Sequence, residues 1–447
     1  AHVRFAALNA NGRNGTNFYH RENRWYEINR MVYDEKVGIL GLGETHLSGA
    51  QVDEIESIYP RLHILNSYDP DSPGKGGVAI VLNRDLTNIK GVIVHRLIPG
   101  RAILATIPWH KDRTLTILSV YAPTGSAAEN RDFWWKLGDL WLEEDLPVPD
   151  GMGGDMNVVE DPIDRLPYHP DHAGAVEALA RFKGILDLKD GWQMTNPDVK
   201  AYTYVHLATG SHSRLDRIYV SPTLFRTCRN WVIKDVAVGT DHRMVAVDIH
   251  APGTPFIGKG RFAIPLFLLK DTDFVEYAIN TGCDILLDDA NENSSPAGTT
   301  TLLQNRFQLW KDRLQLYAQK RAKESVGALE QKKVKLQKER DEVLNEEGNP
   351  DLLAAPQERQ RAEKAAALQK DIVKINAVQQ NKRAIRTRVR FKTEMDYINK
   401  YSVNISKVQK PRDTMYLLKC TDVTPTASAT RSDKMAELAR DYHEALQ

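Results

Sequence analysis

Short apolar runs separated by turns are the feature that most constrains the fold of the first 250 residues. The runs are rich in Val and Ile, a composition typical of β-strands, and amphipathic stretches lie between them. They occupy residues 3–8, 37–41, 77–82, 103–107, 115–121, 218–220 and 245–249. This alternation predicts a mixed α/β domain over residues 1–252.

A different pattern begins at about residue 302, where helix-forming residues predominate. Apolar side chains then recur at spacings of three, four and seven residues, as they do along the seam of a coiled coil. Glycine and proline near residue 350 interrupt the pattern, and a second helical stretch follows. Two long helices around a turn predict an antiparallel hairpin over residues 302–410. Residues 253–301 are predicted to form a linker with a short helix.

The net charge of +1 hides an uneven distribution of charged residues. Residues 1–250 hold 27 basic and 32 acidic side chains, whereas residues 301–447 hold 30 and 20.

The longest apolar stretch, residues 262–269, is far shorter than the ~20 residues that span a bilayer, so we expect no membrane span. Three widely separated cysteines support neither a disulfide framework nor a zinc site. The chain opens at Ala1, and we expect it to be a piece of a longer protein.

Polar side chains stand at the ends of the predicted strands. Taken singly, an Asp or Asn in such a place is usually a turn or cap residue. Here at least five strand-end segments carry one. The residues are Asn9, Asn11, Glu44, Tyr121, Asp155, Asn157, Asp216, Asp241 and His242. Their coincidence predicts a catalytic site.

These residue types fit the hydrolysis of a phosphodiester. Glu44 and nearby amide oxygens are the hard ligands that Mg²⁺ prefers, and a divalent ion would neutralise developing charge. Asparagine, tyrosine and histidine side chains can donate hydrogen bonds to phosphate oxygens. Asp155 is expected to orient or deprotonate the attacking water. Either Asp216 or Asp241 is expected to hold His242 in one tautomer.

The segments ALNANG, GETHL, SVYAPTG, GGDMN, SRLDRIYVS and GTDH resemble the six motif blocks of the endonuclease/exonuclease/phosphatase superfamily, in the right order over residues 3–249. Within it, the chain is most similar to the apurinic-endonuclease-like domain of LINE-type (non-LTR) retrotransposon polyproteins. Asn11, His46 and residues 163–165 carry this closer resemblance, and fungal elements are the most similar in sequence character. The implied fold is a four-layered α/β sandwich with two mainly antiparallel sheets inside, followed here by the helical hairpin.

The resemblance also implies a role for each site residue. Glu44 resembles the metal-binding carboxylate, with Asn11 as a second ligand and Asn9 beside them. Asp155 and Asn157 resemble the pair that positions the water and the phosphate. The residues that resemble phosphate contacts are Tyr121, Asp216, Asp241 and His242. Mg²⁺ is the implied cofactor, with Mn²⁺ as a substitute.

The implied activity is a nick in one strand of double-stranded DNA that leaves a 3′-hydroxyl for target-primed reverse transcription in the nucleus. Residues 411–447 resemble the start of the region before the reverse transcriptase, which is itself missing from this chain. A phosphatase or lipid phosphodiesterase of the same superfamily is an alternative that the acidic first 250 residues favour. A non-catalytic nucleic-acid-binding scaffold is a second alternative.

Two residues depart from the family pattern. Gly43 replaces the Gln that usually precedes the metal-binding Glu, and Arg217 replaces the aromatic residue that usually follows Asp216. Both departures are expected to alter the surroundings of the phosphate or base without removing a ligand.

The most basic segment of the chain, residues 381–411, lies in the second predicted helix of the hairpin. It includes Arg386, Arg388, Arg390 and Lys392. One interpretation is a solvated helix face. The other is contact with the phosphate backbone of target DNA or element RNA.

Overall fold

The architecture comes from a computed structural model of the 447-residue chain. The chain divides into two compact units, Ala1–Thr254 with Leu336–Tyr416, and Pro255–Lys335 with Leu417–Gln447. The structure describes residues 2–20, 23–72, 74, 76–109, 113–206, 208–251, 264–287, 296–324, 327–345, 355–394, 418–420, 427–429 and 432–446.

Two six-stranded sheets form the centre of the first unit. Its strands in chain order are β1 (His2–Asn9), β2 (Ile39–Gly43), β3 (Leu62–Ser67), β4 (Val78–Asn83), β5 (Ile93–Ile98), β6 (Ala102–Pro108), β7 (Thr114–Tyr121), β8 (Gly151–Asp155), β9 (Arg165–Leu166), β10 (Lys189–Asp190), β11 (Tyr204–His206), β12 (Ser211–Ser213), β13 (Asp216–Val220), β14 (Cys228–Lys234) and β15 (Met244–His250). The first sheet has the order β14-β15-β1-β2-β4-β3 and the second the order β10-β13-β8-β7-β6-β5. Strands β11, β12 and β9 form a small third sheet.

The apolar runs form these strands because both faces of the sheets are covered. Successive side chains of a strand point to opposite faces. Phe5 and Ala7 of β1 face the layer between the two sheets, whereas Ala6 and Leu8 pack with Trp25 in the layer outside the first sheet. Continuous burial of this kind explains why the central strands are apolar throughout rather than alternating.

Helices complete the outer layers. They are α1 (Arg24–Asp34), α2 (Gly49–Ile58), α3 (Ala127–Glu143), α4 (Ala173–Ile185), α5 (Gly191–Thr195) and α6 (Pro222–Phe225). Helices α1 and α2 pack on the first sheet, and α3 and α4 pack on the second through residues such as Trp134 and Phe182. The predicted four-layered α/β sandwich is therefore confirmed.

The directions of the strands bring the polar residues to the same end of the two sheets, which forms one edge of the sandwich. In each sheet one pair is parallel, β1 with β2 and β7 with β8, so Asn9 lies beside Gly43 and Tyr121 beside Asp155. Strand β13 runs antiparallel to β8 and begins at this edge, with Asp216 opposite Asp155. Strand β15 is antiparallel to β1 and also begins here.

The C-terminal region is helical, as expected. It contains α7 (Thr272–Leu287), α8 (Pro296–Glu324), α9 (Ala328–Asn345), α10 (Ala355–Glu394) and α11 (Ser432–Leu446), with two short strands, β16 (Leu418–Cys420) and β17 (Ala427–Ala429). The single long helix predicted from residue 302 is divided, because α8 ends at Glu324 and α9 begins at Ala328. Gly327 lies at this break, and glycine disfavours a helix interior. The carbonyl of Gly327 accepts the N–H of Glu330 in the first turn of α9.

The second half of α9 runs antiparallel to α10. Arg340 donates to the side chain of Gln369, and Arg361 donates to the carbonyl of Val343. This pair, residues 336–345 of α9 with α10, belongs to the same compact unit as the sandwich. The contacts thus place residues 336–345 and α10 in one unit with the sandwich, whereas the predicted domain boundaries lie at residues 252, 301 and 410. Those boundaries stay a prediction. The predicted break near residue 350 lies outside the described residues.

Two further observations bear on the expectations from composition. In the part of the chain that the structure describes, no helix combines the length and the apolar character needed to cross a membrane. Cys228 is buried and Cys283 exposed, and both are free thiols.

Candidate active site

Asn9 lies at the centre of the polar cluster at this edge. Its buried amide Nδ2 donates to Glu44 Oε1 at 3.0 Å and to Asp155 Oδ2 at 2.9 Å. Its Oδ1 accepts the backbone N–H of Asn11 at 2.9 Å. One amide therefore joins two carboxylates from different sheets, and it holds them close together although their charges repel.

Glu44 receives a second hydrogen bond from the other sheet. The Tyr121 hydroxyl donates to Glu44 Oε1 at 2.8 Å, and the Arg101 guanidinium lies 4.8 Å from the centre of the Tyr121 ring. Burial, followed by the charge of Glu44, raises the pKa of Tyr121, so the phenol remains a donor at neutral pH. Gly43 lies against this ring, where a Cβ would meet Tyr121 Cδ2 at 3.4 Å.

Asp155 is buried at the end of β8, and its Oδ1 accepts the backbone N–H of Asn157 at 3.0 Å. Burial, together with the charge of Asp216 on the neighbouring strand, raises the pKa of Asp155 to about 7. A carboxylate with this pKa gains and loses a proton near neutral pH, which suits a general base.

His242 pairs with Asp216 rather than with its sequence neighbour. Nδ1 of His242 lies 2.7 Å from Asp216 Oδ2, and the carboxylate accepts the Nδ1–H. Burial by itself would lower the pKa of His242, but Asp216 outweighs it and raises the pKa to about 10. Asp241 instead accepts a hydrogen bond from Asn11 Nδ2 at 3.0 Å. The structure thus resolves which aspartate orients the histidine, and the imidazole is charged at neutral pH.

The loops that carry the site have an uncommon backbone conformation. Asn11, Glu44, His46 and Asn157 have φ values of 50°, 52°, 50° and 49°, in the left-handed region that side chains disfavour. Non-glycine residues of this kind cluster at functional sites, where the surrounding structure enforces them. Asn157 is also fixed by its Nδ2, which donates to the carbonyl of Ala122 at 2.8 Å.

The donor set fits a divalent cation. Asp155 and Asp216 each offer a carboxylate oxygen, and these atoms and a ring nitrogen of His242 all lie within 4.8 Å of one another. The charged imidazole has no free lone pair for a metal, so the two carboxylates are the available ligands. Asp216 Oδ1 is buried and has no hydrogen-bond partner among the described residues, and the two buried carboxylates repel each other. A cation among these oxygens would relieve both costs. The predicted ligands Glu44 and Asn11 lie at the same edge, and their role as ligands stays a prediction.

Residues 6–242 match the profile of the Endonuclease/Exonuclease/phosphatase family. The chain belongs to this family. The Transposon TX1 uncharacterized 149 kDa protein of Xenopus laevis is 32% identical to it over 191 residues, which are 41% of this chain. The match covers 14% of that protein, so the similarity extends over a small part of the relative.

Solved structures of the family are similar over a little more than half the chain. The AP endonuclease LMAP of Leishmania major has 16% identity and a TM-score of 0.46, covering 56% of this chain and 88% of that one. The endonuclease domain of TRAS1, a telomere-specific non-LTR retrotransposon, has 15% identity and a TM-score of 0.41, covering 56% and 99%. An AP endonuclease of Archaeoglobus fulgidus has 20% identity and a TM-score of 0.45, covering 56% and 100%.

Arg217, a departure from the family pattern, points away from the catalytic edge. It follows Asp216 on β13 and therefore faces the opposite side of the sheet. Its guanidinium is buried and pairs with Asp164 and with Asp190 at 2.7 Å, and Glu160 lies 3.4 Å away. The residue expected to alter the phosphate surroundings is thus part of a buried ion cluster.

Two threonines that the sequence did not single out hold the site in place. Thr203 is buried, and its Oγ1 accepts the backbone N–H of Asp216 at 2.9 Å. The Thr240 hydroxyl donates to the carbonyl of Asn9 at 2.8 Å, and its oxygen accepts the N–H of His242 at 3.2 Å. Thr240 lies within the GTDH motif, so the motif itself was an available signal. Thr203 carries no such signal.

Tyr204 is a third residue next to the site that the sequence did not single out. Its ring lies 4.9 Å from the ring of His242, and the two backbones form an isolated β-bridge. An aromatic residue before a Ser- and Thr-rich loop does not by itself reveal which ring it meets. Tyr204 therefore packs against the imidazole with the two rings tilted by 41°.

The predicted nucleic-acid-binding residues belong to the C-terminal part of α10. They are Arg386, Arg388, Arg390 and Lys392. Their side chains lie outside the described residues, so their role stays a prediction.

Proposed function

We propose that this chain is a metal-dependent DNA endonuclease of a LINE-type retrotransposon. It nicks one strand of double-stranded DNA and leaves a 3′-hydroxyl for target-primed reverse transcription. The observation that carries the proposal is the meeting of two hydrogen-bonded groups at one edge of a family sandwich, Asn9 with Glu44 and Asp155, and His242 with Asp216. LINE-like motif details and the similarity to a transposon protein support the choice of substrate.

In the proposed reaction, Asp155 accepts a proton from the attacking water. Burial and the charge of Asp216 raise its pKa in the metal-free protein, which makes it a stronger base than an exposed aspartate. The amide of Asn9 keeps the carboxylate in one orientation by donating to Oδ2. Asn157 is held next to it and is proposed to position the phosphate.

Charge that develops on the phosphate is stabilised by donors already in place. His242 is held charged by Asp216 and can donate from its second ring nitrogen. The Tyr121 hydroxyl remains protonated and donates to Glu44, so in this structure it positions that carboxylate. Donors fixed before the reaction cost no reorganisation when charge develops on the substrate. Asp241 orients Asn11 at the rim of the same site.

A divalent ion completes the proposed site. We propose that Glu44 and Asn11 hold Mg²⁺, or Mn²⁺ in its place, beside the oxygens of Asp155 and Asp216. When bound, the ion would polarise the phosphate and neutralise its charge. Carboxylate and amide oxygens are the ligand types that Mg²⁺ prefers.

The proposed function also implies macromolecular partners and a location in the cell. The basic segment of α10 is proposed to contact the phosphate backbone of DNA or element RNA. The reverse transcriptase would be supplied by a polyprotein region that this chain does not contain. A chromosomal substrate implies action in the nucleus, which localisation of a tagged full-length protein would test.

The decisive experiment is nicking of supercoiled plasmid with Mg²⁺ and with EDTA. The parent chain should nick only with the metal, and the nicks should be extendable by a DNA polymerase. Glu44→Ala and Asp155→Ala should lose about a hundredfold or more in rate, because the first removes the proposed metal ligand and the second removes the proposed base.

Asp53→Ala is the matched control, since Asp53 is an exposed carboxylate on α2, outside the polar cluster. It should nick as fast as the parent. Equal nicking by Asp155→Ala and the parent would refute the site assignment. Release of phosphate from inositol phosphates by a chain that nicks no DNA would instead favour the phosphatase alternative.

A further inference from the structure

The stretch that carries His242 begins at a buried carboxylate. Residues 235–243, here named the His242 segment, connect β14 to β15. The side chain of Asp235 is only 4% exposed. Arg340 Nη1 donates to Asp235 Oδ2 at 2.9 Å, and Gln369 Nε2 donates to Asp235 Oδ1 at 2.7 Å. Both donors come from the antiparallel pair of α9 and α10, and neither of these two contacts involves a catalytic residue directly.

The same cluster reaches the other end of the segment. Arg243 Nε lies 3.6 Å from Asp235 Oδ1, and the Arg243 guanidinium donates to the carbonyls of Tyr202 and Ile233. The contact between Asp235 and Arg243 thus joins the two ends of the segment, and His242 lies next to Arg243. Arg340 also donates to Gln369 Oε1 at 2.6 Å, so the helical side of the cluster is itself fixed.

The helices are anchored to the sandwich independently of these polar contacts. The backbone N–H of Tyr168 donates to Glu358 at 3.1 Å, and Lys200 and Asn345 exchange two hydrogen bonds. A small apolar core lies between the two parts. It consists of Leu166, Tyr202, Val343, Leu344, Ala362 and Ala365. The helical pair is therefore a fixed support.

A groove of about 470 Å³ separates the His242 segment from α10. Gln369, Val373 and Asn376 line it on the helical side, and Asp241 and His242 line it at the catalytic side. Val238 of the segment is buried in the core outside the first sheet, whereas the face of the segment towards α10 borders open space. The contacts at Asp235 are what tie it to the helix.

We propose that Arg340 and Gln369 are positioning residues for the reaction. By bonding to Asp235 they hold the His242 segment where His242 meets Asp216 and where Thr240 meets Asn9. Removal of Arg340 would leave the buried Asp235 carboxylate with Arg243, 3.6 Å away, as its remaining counter-charge, and the segment would move away from the helices to hydrate the carboxylate. For the catalytic consequence the inference rests on the endonuclease function proposed above.

The test uses the full chain with Arg340→Met, which keeps the stem of the side chain and removes its charge. Amide hydrogen exchange across residues 236–242 should quicken about tenfold or more, while β1 and β8 stay protected. The kcat for nicking should fall roughly ten- to a hundredfold with little change in KM, since a shift of about 1 Å in a catalytic group has effects of that size.

Lys338→Met is the matched control, because Lys338 lies exposed on the same helix and forms a surface ion pair with Glu342. It should leave exchange and nicking as in the parent.

Unchanged exchange in the segment of Arg340→Met would overturn the inference. So would faster exchange spread equally over β1 and β8, which would indicate general loss of stability. Local acceleration in a protein whose parent nicks no DNA would support the positioning role and refute the endonuclease, so the two failures are distinguishable.

Discussion

The charge of His242 depends on one carboxylate that enters from another strand. Asp216 is 26 residues away along the chain, whereas Asp241 is adjacent, and sequence alone left both open. The choice follows from topology, since β13 starts beside β8 and directs Asp216 into the layer between the sheets. Asp241 turns outward to Asn11. Motif spacing predicted which residues meet, but the pairing of donors with acceptors depends on side-chain direction.

Asp216→Asn should lower the pKa of His242 well below about 10. Without the negative charge, burial dominates, and burial favours the neutral imidazole. The pKa can be followed by NMR of the ring protons in metal-free protein. Asp241→Asn is the control and should lower the pKa much less, because Asp241 raises it less than Asp216 does. A larger change in the control would contradict the assigned pairing.

Individual strands were predictable where both faces are buried. The apolar runs coincide with β1, β2, β4, β6, β7, β13 and β15, all of which lie inside the sheets. The strands that the pattern missed include β3, β5, β10 and β14, which are the edges of the two sheets. Edge strands carry polar residues such as His95 and Asn230 on accessible faces, so their periodicity is weaker.

At the level of β13 and its neighbours, the buried ion cluster predicts a dependence of stability on pH. Burial alone would raise the pKa of Asp190, but Arg214 and Arg217 outweigh it and lower the pKa to about 2. In the unfolded chain it is about 3.9. A lowered folded pKa contributes stability that is present above about pH 4 and disappears as the pH falls towards about 2.

Arg217→Met should reduce the free energy of unfolding at pH 7 by about 3–5 kcal/mol, because it leaves buried carboxylates short of a partner. The decline between about pH 4 and 2 should be shallower than in the parent. Urea unfolding at several pH values measures both. Arg131→Met, which removes an exposed ion pair with Asp132, should cost less than about 1 kcal/mol. Equal losses in the two variants would rule out a special role for the cluster.

The whole molecule joins an acidic first part to a basic last part. Composition predicted this asymmetry, and helical periodicity predicted the hairpin, but neither predicted that α10 packs beside the catalytic edge. The contact of Gln369 on α10 with Asp235 spans 134 residues. An apolar helix seam has the same sequence pattern whether it faces a partner helix or a sheet, so no local pattern identifies its contact surface.

Charge reversal at Arg386, Arg388 and Arg390 should weaken nucleic-acid binding and reduce the salt slope of log K by about 0.9 for each phosphate that is no longer neutralised. Binding to a labelled duplex and to RNA over a range of salt concentrations measures this. Reversal of Lys332, Lys333 and Lys335 on α9 changes the net charge equally and is the control. If both triple variants reduce the slope by the same amount, net charge rather than the position of the basic segment governs binding.

The division of the first unit along the chain has a consequence for biosynthesis. Arg243 leaves the ribosome long before Gln369, and the intervening chain takes on the order of 10 s to synthesise at roughly 5–20 residues per second. A nascent sandwich therefore holds Asp235 before its helical partners exist. Under the endonuclease function proposed above, the site would reach its final geometry only after α9 and α10 have left the ribosome, so that activity would begin late in synthesis.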